Sequence, residues 1–220
     1  MSDFYYKDIN VSKLIQQQIL LVKKSKNKLA IKRNTKYGEL IFCLFPDDEN
    51  VKIEVFASEN VQEDNTWLFS RRVFFDILSN SLEVQKRYKT KMAIMQIDIN
   101  NLSLNNEIYG FEIGDKIIHS VGELLKQSLR DSDIVAHLGS DKYGIILEYL
   151  ASNADVEVVC NRLIDLFKEP VLIESTLVDI SISIGSIVAS PERGLKESLI
   201  LLEQAHLKSK EMNDNFIILI

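Results

Sequence analysis

Residues 134–147, IVAHLGSDKYGIIL, combine the side chains and spacing best suited to chemistry. Two β-rich apolar runs flank a Gly-Ser-Asp-Lys centre, the grammar of a hairpin closed by a small polar turn. Such a turn holds the carboxylate of Asp141 rigidly between two buried strands, a geometry suited to a nucleotide site. Lys142 follows that acid directly, so the chemistry depends on what its ammonium does. A second acid, Asp98, closes the apolar run MAIMQIDI at 92–99. His119, His137 and His206 are scattered without metal-ligand spacing and read as surface or satisfied core residues. Cys43 and Cys160 sit far apart in apolar surroundings and read as buried, reduced thiols.

The elements that must position these groups follow from length and pattern. At 220 residues, 46% hydrophobic, the chain has room for one full domain and a smaller piece. A net charge of −6 gives no global support for nucleic-acid binding. No apolar run approaches the roughly 18 residues of a membrane span, and the N-terminus lacks signal-peptide order, so a soluble, cytoplasmic chain is expected. Leu14, Ile15, Ile19 and Val22 predict one short amphipathic helix over 11–22. The cation-rich run KKSKNKLAIKRNTK at 23–36 has no acid and is either a solvated face or a contact for an anionic partner. Apolar runs at 29–31, 40–45 and 51–56, separated by turn residues, predict a small antiparallel sheet. The polar segment SENVQEDNT at 58–66 is the expected boundary, dividing the chain into a small segment, 1–60, and a larger domain, 61–220.

Beyond it, Phe74, Ile77, Leu78, Leu82 and Val84 favour a helix, and residues 92–99 read as a buried central strand. Ile117, Ile118, Val121, Leu124, Leu125 and Leu129 mark a helix over 116–129. The hairpin follows, then a helix carrying Val156, Val159, Cys160, Leu163 and Phe167 that ends before Pro170. Residues 177–189 alternate at period two, as a strand with one buried face does. A last helix over 195–212 and a closing strand at 216–220 complete the order α-β-α-β-β-α-β-α-β. That order implies an α+β, ferredoxin-like fold in which helices cover one face of a mostly antiparallel sheet.

Residues 98–115, DINNLSLNNEIYGFEIGD, match without a gap the pattern D-x-D-x-F-K-x-x-N-D-x-x-G-H-x-x-G-D of the diguanylate cyclase (GGDEF) family, which the chain resembles. Gly139-Ser140-Asp141-Lys142-Tyr143 falls where that family carries its Gly-Gly-Asp/Glu-Glu-Phe signature. EDNTWLFSRRVF at 63–74, Ser183-Ile184-Gly185 and LEQAHLKSKEMNDN at 202–215 are further matches. The resemblance covers 63–220, implies a nucleotidyl-cyclase-like fold, and does not extend to residues 1–60.

In the family, a 3′-hydroxyl of one GTP attacks the α-phosphate of another, with divalent metal neutralising charge. By resemblance, Asp98 and the two signature acids would hold that metal. Here the second acid is Lys142, a swing of two charge units that opposes metal binding at short range. Without a metal, Asp98 could instead cap the following turn, and Asp115 could be a helix N-cap. Ser140 puts a side chain where the family has glycine. Asn106 matches the asparagine assigned to guanine recognition, and Glu107 stands in for its aspartate. Ser103 replaces a lysine, Phe111 a histidine and Asp214 an arginine, whereas Lys210 keeps the phosphate-side lysine. Asp98, Asn106, Glu107, Asp141, Lys142 and Lys210 are therefore expected to form a vestigial nucleotide site with no catalytic residue, metal or cofactor.

Arg130-Asp-Ser-Asp133, six residues before the signature, resembles the family's inhibitory product site. A guanidinium clamps a phosphate or a guanine edge in fork geometry, while a carboxylate accepts from guanine N1 and N2. The resemblance thus implies an inactive cyclase-like domain that binds cyclic di-GMP through Arg130 and Asp133 and signals to a protein partner. Such ligands often bridge two domains of this family as a stacked pair, so a homodimer is a further expectation. A nucleotide-independent interaction scaffold and a GTP-sensing domain are the alternatives.

Overall fold

The computed structural model describes residues 5–6, 9–25, 29–35, 38–47, 50–57, 68–211 and 215–220. The chain divides into two compact units, Met1–Val61 and Gln62–Ile220; the expected boundary at 58–66 lies outside the described residues.

In the first unit, β1 (Tyr5–Tyr6) and β2 (Ile9–Asn10) form a short antiparallel pair. The predicted helix is two pieces, α1 (Val11–Leu14) and α2 (Gln16–Ser25). Hydrogen bonds from Ile15 N to Val11 O and from Ile19 N to Ile15 O carry the helical turn across the break. One stripe of Val11, Ile15, Ile19 and Val22 is therefore continuous and packs on Phe42 and Leu44. Those two residues lie on β4 (Gly38–Asp47), the middle of an antiparallel sheet with β3 (Leu29–Thr35) and β5 (Asn50–Ala57).

The second unit begins with β6 (Phe69–Ser70) and α3 (Arg71–Tyr88). Lys86 and Arg87 in the last turn of α3 complement its dipole, and Lys89, left-handed at φ 54, donates its N–H to Gln85 O to close it. There follow β7 (Ala93–Ile99), α4 (Leu102–Tyr109), α5 (Phe111–Gln127), β8 (Ile134–Gly139), β9 (Lys142–Leu147) and α6 (Ala154–Asp165). The chain continues through β10 (Val171–Ile173), β11 (Thr176–Val178), β12 (Ile182–Val188), α7 (Leu195–Glu211) and β13 (Phe216–Leu219). The six-stranded sheet has the order β13-β12-β7-β9-β8-β6. Its inner pairs are antiparallel and the β12–β13 and β6–β8 edges parallel, the α+β plan implied by the sequence.

The helices, however, cover both faces of the sheet. On one, Ile117, Val121 and Leu125 of α5 and Val156, Cys160 and Leu163 of α6 join Met95, Ile97, Tyr143 and Ile145 in a single cluster. On the other, a Cβ added to Gly144 would strike the Phe74 ring of α3, and one on Gly185 would strike the His206 backbone of α7 at 2.4 Å. The period-two reading of 177–189 fails for the same reason: β12 is buried throughout. Ser186 does not face water; its Oγ donates to Ile94 O at 3.3 Å. Residues 177–189 moreover split between β11, paired in a small hairpin with β10, and β12. The helix expected from 116 begins at Phe111, after Gly110 at φ 87 separates it from α4. Asp115 consequently lies inside α5 and is not its N-cap. Cys160 is buried and free, and burial pushes its thiol up to about 12. The side chain of Cys43 lies outside the described residues.

Candidate functional site

Strand pairing builds the centre of the site. In the antiparallel β7–β9 register, Asp98 stands directly opposite Lys142. Residues facing each other across an antiparallel pair hold their side chains close together. An acid at 142 would therefore face Asp98 carboxylate to carboxylate, an arrangement that calls for a cation, whereas Lys142 supplies the positive charge from within. Its Nζ donates to Asp98 Oδ2 at 2.9 Å. Lys210 of α7 donates to the same oxygen, and His206 Nε2, one turn earlier on α7, approaches it at 3.2 Å without hydrogen-bond geometry. The close approach of α7 to β12 over Gly185 brings both residues down to the sheet.

Asp98 is completely buried. Burial alone pushes its carboxyl upward, but the adjacent His206 ring and the Lys210 and Lys142 ammoniums outweigh this and hold it well below the usual carboxylate range. Burial pulls the Lys142 ammonium down, but its bond to Asp98 and the charges of Asp98, Asp141 and Glu203 more than compensate and raise it. Asp98 is thus an ion-pair partner and does not cap the following turn. Its Oδ1 is buried and has no hydrogen-bond partner among the described residues.

A cleft of about 390 Å³ opens beside this cluster, lined by Asn100, Asp141, Ser181, Ser183, Ser209, Lys210 and their neighbours. Asn100, where the family pattern has its second aspartate, donates Nδ2 to Ser181 Oγ at 3.2 Å and accepts from Ser183 Oγ at 2.8 Å. The hairpin turn is anchored from below, with Ile99 N donating to Asp141 O at 2.9 Å. Gly139 and Ser140 both have positive φ, 106 and 55. Serine there occupies a left-handed conformation that glycine adopts without strain.

These residues do not fit a divalent cation. Such an ion requires several free oxygen ligands, yet one oxygen of Asp98 carries two ammoniums and the other is sealed from solvent. No cluster of three or more metal-ligating side chains occurs among the described residues. Asn106 and Glu107 lie apart from the cleft, on α4. Asn106 Oδ1 is buried without a partner and packs so closely on Gly114 that a Cβ there would lie 1.7 Å away; Glu107 is exposed. Ser103 and Phe111 are exposed, Phe111 at 79%. Asp214 lies outside the described residues.

Arg130 and Asp133 lie away from this cleft, at the turn between α5 and β8. Asp133 is buried, and its Oδ2 accepts from Arg130 N at 3.0 Å while Oδ1 accepts from Glu148 N at 3.4 Å. Burial raises its carboxyl, opposed by those two backbone donors and by the charges of Arg130 and Lys126. Arg130 is exposed and borders a pocket of about 140 Å³ with Asp133, Glu148, Asp155, Val158 and Arg162. Arg162 was not visible as a site residue in the sequence: only the packing of α6 brings a second guanidinium to the rim. His206 was missed likewise, because its proximity to Asp98 depends on the contact between α7 and the sheet. His119 approaches Glu123 at 3.8 Å, and His137 Nε2 lies 2.9 Å from Ser140 O. No helix among the described residues is long and apolar enough to cross a membrane.

Comparison with known proteins places this geometry. The diguanylate cyclase TpbB of Pseudomonas aeruginosa is 29% identical over 140 residues, 63% of this chain and 31% of that protein. The chain spans less than a third of the curated relatives it matches. The crystal structure of the TpbB GGDEF domain superposes with a TM-score of 0.64 at 25% identity, covering 66% of this chain and 92% of that one. The GGDEF domain of DgcB from Caulobacter crescentus, solved in complex with c-di-GMP, shares the fold with a TM-score of 0.67 at 18% identity, covering 75% and 96%. Residues 62–215 match the family described as diguanylate cyclase, GGDEF domain, and the chain belongs to that family.

Proposed function

We propose that this GGDEF domain is a catalytically inactive receptor of cyclic di-GMP that passes the ligand's presence to a protein partner. The observation that carries the first half is the Lys142–Asp98 ion pair. The carboxylate that a cyclase would use for metal is neutralised within the protein, so the charge of two triphosphates would have no divalent counter-ion. The second half rests on the α5–β8 corner, where Arg130 and Arg162 flank one pocket beside Asp133. Guanidiniums recognise phosphate and guanine edges by paired hydrogen bonds. Each Asp133 oxygen keeps a second lone pair for a guanine N–H. Val158, 64% exposed at the same rim, offers an apolar surface to a purine face. The DgcB domain, of the same fold, holds c-di-GMP.

Two measurements test the reading. Incubation with Mg²⁺ and GTP yields no cyclic di-GMP by chromatography, and calorimetric titration with cyclic di-GMP gives low-micromolar or tighter binding that Arg130→Ala weakens about tenfold or more, as loss of charged hydrogen bonds does. Product formation overturns the inactive half; unchanged affinity in Arg130→Ala overturns the receptor half.

A further inference from the structure

The helix of the first unit has two faces. Val11, Ile15, Ile19 and Val22 are buried against the small sheet. The opposite face is also rich in leucine: Leu14, Leu20 and Leu21 are exposed, the last two at 59% and 56%. At the helical step of 100° per residue, Gln17 and Lys24, both exposed, fall between these leucines. A solvated helix face ordinarily carries charged and polar residues there, so the leucines require an explanation that folding of the unit does not supply.

Charge indicates the occupant. Residues 11–36 hold eight lysines and arginines and no aspartate or glutamate, in a chain whose net charge is −6. The positive charge is therefore concentrated on α2 and the segment that follows. Lys23 and Lys24 end the helix, with further cations at 26, 28, 32, 33 and 36. These cations are spread over a long stretch, which suits an extended anionic plane better than a discrete acidic motif. Leucines interleaved with lysines on one helix face are what lies in a bilayer interface, the apolar side chains among acyl chains and the ammoniums at headgroups.

We propose that this face of α1 and α2 docks on an anionic phospholipid surface, with Leu14, Leu20 and Leu21 inserting and Lys23 and Lys24 contacting headgroup phosphates. The contact is peripheral and reversible, since three leucines and a short helix are far from a membrane span. It rests on the first unit alone and is independent of the receptor reading, which is tested by its own titration.

Co-sedimentation of the full chain with phosphatidylcholine vesicles, with and without a one-third fraction of phosphatidylglycerol, tests it. The expected result is pelleting with the anionic vesicles only and release by high salt. The double variant Leu20→Ser with Leu21→Ser, whose positions are already more than half exposed, weakens partitioning about tenfold; Lys23→Glu with Lys24→Glu does the same. No pelleting with anionic vesicles overturns the proposal, as does equal pelleting with both kinds. Capture on immobilised polyglutamate together with indifference of vesicle binding to the leucine variant would assign the face to an acidic protein, and also overturns it.

Discussion

Lys142 and Asp98 stand opposite each other in neighbouring antiparallel strands, joined by a 2.9 Å bond from Nζ to Oδ2. The exchange of an acid for a lysine in the signature turns a pair of carboxylates needing a metal into a cross-strand ion pair that needs none.

The first prediction concerns metal. Thermal unfolding of the wild-type chain is expected to be the same in EDTA and in Mg²⁺. In Lys142→Glu the two facing carboxylates repel, at a cost of about 1 kcal/mol, and Mg²⁺ recovers part of the lost stability. Calorimetric melting with and without the ion checks both; a wild-type midpoint that rises with Mg²⁺ would contradict the internal ion pair.

Two acids are expected to act in opposite directions with pH. Asp98 is held below its ordinary value, so its stabilisation is fully present above the unfolded carboxylate pKa of about 3.9 and is lost only as pH falls through the lower folded value. Asp133 is raised by burial, so the folded state binds its proton more tightly and stability declines as pH rises from about 3.9 through the folded value. Denaturation profiles of Asp98→Asn and Asp133→Asn against wild type between neutral and strongly acid pH separate the two: the first loses the acid-side slope, the second flattens the opposing one.

Arg162 is expected to share the ligand with Arg130, because both border the pocket beside Asp133. Arg162→Ala should weaken cyclic di-GMP binding about tenfold with no loss of thermal stability, since the side chain is exposed. Equal affinity in a titration of this variant would restrict recognition to Arg130.

Tyr143, in the signature's aromatic position, is fully buried and donates its hydroxyl to Ile118 O at 2.5 Å. Tyr143→Phe keeps the ring and removes that bond, while Ile118 O, inside α5, keeps its place in the helical ladder, so a loss of about 1 kcal/mol is expected in urea unfolding. Cyclic di-GMP affinity should stay unchanged.

Gly185→Ala tests how α7 is held on the sheet. The added Cβ would meet the His206 backbone at 2.4 Å, and overpacking of this kind costs about 1–3 kcal/mol. The helix must move away, carrying His206 and Lys210 from Asp98. Urea unfolding should therefore show reduced stability, and the low carboxyl of Asp98, followed by NMR titration, should shift back toward its ordinary range.

The sequence by itself determined the elements and the family. Apolar periodicity marked most of the strands and helices, and the gapless match at 98–115 together with GSDKY identified a GGDEF domain with an altered signature. It also marked Asp98, Lys142 and Lys210 as departures or survivals at a nucleotide site, because those identities are read directly from residue types in register. Only the tertiary structure decided that Asp98 and Lys142 are strand partners, that Lys210 and His206 reach the same oxygen, and that Arg162 joins Arg130. It also decided that helices cover both faces of the sheet, since α5 and α6 join one core cluster while Phe74 of α3 and His206 of α7 press on Gly144 and Gly185 from the other side. The physical reason is common to all of these. Local pattern encodes which side of an element is apolar, whereas proximities between residues 32 to 112 positions apart, from Arg130 and Arg162 at one pocket to Lys210–Asp98, depend on register and helix docking, which many distant residues set together.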